Sequence, residues 1–251
     1  MKLYRSLIYR ELMLTRKRFI LMLMLFLLLA LLMMTPLILV FIFKPVEGEE
    51  SPLEMIPLFV GIVALTGGFM AGTNNGLQKA DISSGWKRYS FVLPPTAKQQ
   101  AISDLFVKLC YILFFGLLSA GFAWIFTAAT DYNAFGIMLN IYLGAVCAVM
   151  LVDIAYSYIV MLANDKNQFK VIGVIAFFGA GIVLRVFDLF PGMNKTENPA
   201  EGGALLSDEQ FNRLMTALTS HKTTLCFFGV FAVLCAVYFF VLWRSHERRE
   251  P

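Results

Sequence analysis

The chain alternates between long apolar runs and short polar breaks. The first run extends from Phe19 to Phe43 and follows Arg16, Lys17 and Arg18. About 25 apolar residues at 1.5 Å each exceed the roughly 30 Å hydrocarbon core of a bilayer. A soluble helix of that length keeps a polar face, and this run has none. Five more runs follow, near 55–77, 105–128, 136–162, 171–190 and 223–243. Helices satisfy their own backbone in lipid, whereas barrels show short alternating segments that are missing here. The pattern predicts an all-α polytopic membrane protein with six transmembrane helices.

Composition agrees. Hydrophobic residues make up 59% of the 251 and charged residues 15%, with 24 Phe and 13 Met, and the mean hydropathy is +0.71. A soluble domain of this size could not hide that much apolar surface. The first run is too long for a signal-peptide core and no small-x-small site follows it, so the mature chain is expected to keep it. Cys110, Cys147, Cys226 and Cys235 all lie in apolar stretches without a CxxC pair, which argues against zinc or a disulfide framework.

Charge sets the expected orientation. Most of the 21 Lys and Arg residues fall in the N-terminal arm, in 78–108 (Lys79, Lys87, Arg88, Lys98, Lys108), in the 163–170 turn or in the tail. The opposite side carries Lys44, Lys195, Arg213 and Lys222 beside Glu47, Glu49, Glu50 and Glu54. Both termini are therefore expected in the cytoplasm. The net charge of +4 reflects this asymmetry and contact with anionic lipid, not nucleic-acid binding.

Between the runs, local signals predict further elements. Leu3, Leu7, Ile8 and Leu14 share one helical face, which predicts an interfacial helix over 1–15; a plain extension of the first span is the alternative. Ala64, Gly68, Gly72 and Gly76 form a smooth ridge on span two, where a helix of this chain or of a second copy can approach closely. Residues 78–104 form the longest cytoplasmic segment. Within it Pro94 and Pro95 break any helix, and Thr96 with Gln99 forms a capping box that starts the next one. In the external segment 191–222, Ser207 to Gln210 open a short amphipathic helix carrying Phe211, Leu214, Met215 and Leu218, placed between spans five and six.

Three charges fall within or near spans: Asp153 in span four, and Arg185 and Asp188 at the end of span five. Asp188 is one turn from Arg185, and a long Arg side chain also reaches toward the depth of Asp153. An ion pair locking helices, a substrate or proton pathway, and interfacial snorkelling by Arg185 are the readings of this group. The chain has no GxxxxGK[ST] loop, HExxH or GxSxG, and its two histidines lie in an outer loop and the tail, so intrinsic catalysis is not expected.

The loop between spans two and three carries Asp81, Gly85-Trp86, Arg88, Tyr89, Leu93-Pro94 and Lys98. In that pattern, and in its hydropathy, the chain resembles the permease subunits of ABC-2-type exporters, in particular small stand-alone bacterial permeases. Ile82-Ser83, Pro95 and Ala97 depart from the family's usual residues. The resemblance implies a multi-pass protein of the bacterial plasma membrane that dimerises and pairs with separate ATPase subunits. It implies no cofactor in this chain, with ATP and Mg bound by the partner. It gives Asp81, Gly85, Trp86, Arg88, Tyr89, Leu93, Pro94 and Lys98 a coupling role against the ATPase. It places the translocation path along the dimer interface near spans one, two and five, with the span-two ridge as a close-packing surface there. Exporters of amphipathic cytolytic peptides of the phenol-soluble modulin type are most similar, and resistance exporters for antimicrobial peptides come next. Two other readings stand beside it: a self-sufficient secondary transporter or channel, and a non-transporting membrane scaffold.

Overall fold

The computed structural model describes residues 2–43, 56–72, 96–130, 133–162, 216 and 218–247. All the secondary structure among these residues is helical. The main elements are α1 (Lys2–Phe43), α2 (Ile56–Gly72), α3 (Ala97–Thr130), α4 (Phe135–Leu162) and α5 (His221–Glu247). Four helices are long and apolar enough to cross a membrane, within Ser6–Thr35, Ala97–Ala129, Phe135–Tyr158 and His221–Glu247, and Pro57–Gly72 is a shorter apolar helix. This is a membrane protein. The expected span at 171–190 and the external helix after Ser207 lie outside the described residues.

The separate interfacial helix expected over 1–15 is not present. The N-terminal arm and the first span form one continuous helix of 42 residues, about 63 Å long. The reason is local: Lys2 to Thr35 contains no glycine or proline to break it. The face it buries also differs. Leu7, Glu11 and Thr15, at intervals of four, turn inward, so two polar residues sit where an apolar stripe was expected.

Helix α3 starts at the predicted capping box. Thr96 N donates to Gln99 Oε1 at 3.0 Å, and Gln99 N donates to Thr96 Oγ1 at 3.4 Å. Each bond satisfies a backbone or side-chain group that the first turn leaves open.

Helix directions follow from the contacts. Thr15 meets Tyr111, and Phe26 meets Phe115, so α1 and α3 run the same way. Helix α4 returns antiparallel to α3: Ala134 N donates to Thr127 Oγ1 at one end, and the Tyr142 hydroxyl donates to the Ile112 carbonyl further along. Asn140 Nδ2 donates to Leu218 O at 2.5 Å, and Cys147 lies on the Phe227 carbonyl, so α5 runs parallel to α4. The chain thus leaves α4 at one end of the bundle and enters α5 at the other.

The glycine ridge of α2 is occupied from within the chain. A Cβ on Gly68 would lie 2.6 Å from Ala145 Cβ and 2.9 Å from the Tyr142 carbonyl. One on Gly72 would lie 2.5 Å from Val149 Cγ1. Ala64 is fully buried beside them, and Gly76 lies outside the described residues. Gly67, on the neighbouring face, receives Ser119 Oγ of α3. The ridge therefore packs on α4, and the placement of Gly68 and Gly72 against a second copy that the resemblance implies is not what this structure has. Lipid gives no hydrophobic drive between helices, so this close approach is a main source of cohesion.

Gly68→Ala is expected to destabilise the protein by about 1–3 kcal/mol through overpacking against a backbone carbonyl. Gly121→Ala, where nothing lies within 4 Å of the added Cβ, is expected to be neutral or to gain up to about 1 kcal/mol of helix propensity. Thermal unfolding of both in one detergent checks this, and equal shifts would refute the α2–α4 packing argument.

Candidate functional site: a buried charge cluster

Polar residues gather at the end of the bundle where α1 and α3 begin and α4 and α5 end. Helix α3 contributes Asp104, Lys108 and Tyr111, at i, i+4 and i+7 on one face. Helix α5 contributes its buried row of Leu234, Tyr238, Leu242 and Ser245, together with His246. Helix α1 contributes Glu11 and Thr15, and α4 contributes Asp153.

At the centre, Lys108 Nζ donates to Asp153 Oδ2. Lys108 is 0% exposed and Asp153 1%. The ammonium also lies 4.2 Å from the centroid of the Tyr238 ring, whose face attracts a cation. Three helices are joined at this point. Asp153 therefore finds a partner in Lys108; Arg185 and Asp188 lie outside the described residues. The sequence reading counted Lys108 with the cytoplasmic loop charges. The structure places it more than two turns into α3, deep in the bundle.

Nearer the end, His246 Nε2 lies 3.1 Å from Asp104 Oδ2. Glu11 stands beside Asp104 and Ser103 and is completely buried. Thr15 Oγ1 bonds the Glu11 carbonyl at 2.8 Å and the Tyr111 hydroxyl at 2.5 Å, which fixes this stretch of α1 on α3. Tyr238 stands among Asp153, Asp104 and Glu11. Beyond Thr15, α1, α2 and α3 meet at a shallow depression with room for about one water molecule, lined by the hydroxyls of Thr15 and Tyr111, by Arg18 and by the apolar Phe19, Met70 and Phe115.

Sequence reasoning passed over Glu11, Asp104, Lys108, Tyr238 and His246. One signal was available: Asp104 and Lys108 are an i, i+4 pair in the helix that Thr96 starts. Among the described residues, no group of three or more His, Cys, Asp and Glu side chains can hold a metal ion. Of the expected coupling residues only Lys98 is described, exposed in the first turn of α3. Asp81, Gly85, Trp86, Arg88, Tyr89, Leu93 and Pro94 lie outside the described residues.

Neither a protein-family model, a curated protein nor a solved structure matches this chain.

Removing one member of the central pair strands a buried charge. Lys108→Met and Asp153→Leu are each expected to cost about 3–5 kcal/mol, and the double substitution to recover most of the loss. Chemical unfolding in mixed micelles measures all three variants; additive losses would mean that the two side chains do not interact.

Proposed function

We propose that this chain is the membrane permease of an ATP-driven exporter. It would work as a pair of permease copies on two separate ATPase subunits, and move amphipathic peptides or similar hydrophobic cargo out of a bacterial cell. The observation that carries this reading is where the chain ends meet. The start of α1 and the end of α5 come together on Asp104. The parallel directions of α4 and α5 call for one more crossing between them, and 171–190 is an apolar run long enough to make it. Six crossings with both termini on one side is the arrangement that the resemblance implies, and the positive-inside bias places that side in the cytoplasm.

The chain also leaves α2 and enters α3 at this end, and 73–95 connects them. A motor pulling on Trp86 and Tyr89 would act directly on α3, whose fourth turn carries Lys108. Rigid-body motion of packed helices is a common output of such a pull.

A second reading draws on the Lys108–Asp153 pair. Buried charge in a membrane bundle often marks an ion pathway, and a self-sufficient secondary transporter would use it. Uptake by the purified chain in liposomes under an ion gradient, with no ATPase present, would favour that reading.

Tagged chain purified from native membranes is expected to bring an ATPase subunit with it. Trp86→Ala with Tyr89→Ala is expected to lower that recovery at least tenfold while leaving the permease in the membrane. Undiminished recovery would overturn the coupling role of this segment.

A further inference from the structure

Glu11 is buried and carries a charge problem that its neighbours do not solve. Among the described residues, neither of its carboxyl oxygens accepts a hydrogen bond. The guanidinium of the adjacent residue, Arg10, lies 3.9 Å away. An ionised carboxylate taken out of water is ordinarily held by several donors. The group beside it is a second carboxyl, Asp104. Two ionised carboxylates only accept hydrogen bonds, and they repel each other. One proton removes the repulsion and turns one of the two into a donor.

We propose that Glu11 and Asp104 form a proton-binding site, in which one proton on Glu11 is donated to Asp104 and holds the start of α1 against α3 and α5. The site goes beyond the exporter reading and operates whether or not a motor is attached. Every helix at this end except α2 contributes a charged or titratable group. Arg10 comes from α1, Lys108 and Tyr111 from α3, Asp153 from α4, and His246 and Tyr238 from α5. Lys108 is committed to Asp153, so it does not neutralise the Glu11–Asp104 pair. His246 donates to Asp104 through Nε2 when its proton resides there, which leaves the Ser103 hydroxyl as the neutral donor beside Glu11. The side chains of Asp104 and His246 are each 18% exposed, which gives the proton a route to water at this end without crossing the bundle.

Loss of the proton places two like charges together in a low-dielectric site. The contact that fails is the inward stripe of Leu7, Glu11 and Thr15, so the start of α1 separates from α3. The site thereby makes the seating of α1 depend on the pH of the compartment at that end.

Infrared difference spectroscopy of the full chain in lipid nanodiscs, titrated with base, tests the assignment. The wild type is expected to show a protonated-carboxyl band at neutral pH that bleaches in alkali. The band is expected to vanish in Glu11→Gln, to shift in Asp104→Asn as the acceptor becomes an amide, and to stay in Glu247→Gln. A wild type without that band, or a Glu11→Gln variant that retains it, would overturn the site. Thermal unfolding gives a second readout. The native state binds one proton more than the unfolded chain, so the wild-type folding constant is expected to fall up to tenfold per pH unit as pH rises, and Glu11→Gln to abolish that slope. Equal slopes in the two proteins would overturn the site as well.

Discussion

The ion pair between Lys108 and Asp153 is the constraint on which the rest of the bundle depends. Each charge loses several kcal/mol of hydration on burial, and only close contact returns it. The contact is possible at one register of α3 against α4. Because Tyr238 lies on the same ammonium, the pair also sets where α5 sits. Three helices that apolar packing alone would let slide are fixed at one height.

Around this fixed point the packing is close rather than greasy. Helix α2 fits between α3 and α4 because Gly68 and Gly72 admit the backbone and side chains of α4, and Gly67 admits Ser119. Tyr142 crosses from α4 to α3, with its ring against Gly116 and its hydroxyl on the Ile112 carbonyl. Helix α1 is held differently. Leu21, Met24, Leu28 and Leu31 are exposed along it, and it packs on the bundle through one apolar row that includes Phe19, Met22, Phe26, Ala30 and Met33, and through the polar stripe near its start. The molecule therefore has a tightly locked body and one helix whose seating rests on few contacts.

Much of the element list was legible in the sequence, because span length and apolarity are local properties. Helices α3, α4 and α5 follow the expected runs, and the Thr96–Gln99 cap is where the residues placed it. What escaped was everything that depends on register. The partner of Asp153 could not be read, because Lys108 joins it only once α3 and α4 are set side by side. Glu11 carries no sequence signal of its own, and its period-four relation to Leu7 and Thr15 has meaning only with α3 against it. The continuity of α1 was the opposite case. The absence of glycine and proline from Lys2 to Thr35 is plain in the sequence and favours an extension of the first span over a separate interfacial helix.

The burial of Lys108 in α3 and Asp153 in α4 also bears on biogenesis. Either helix alone would carry a bare charge into lipid at about 2.5–3.5 kcal/mol. Joined by the short link around Asn133 and Ala134, they can enter the bilayer as a neutralised hairpin. Helix α1 needs no such companion, since its apolar run can partition unaided. Pairwise entry is thus the cheaper course for these two helices, each cancelling the other's charge on the way in.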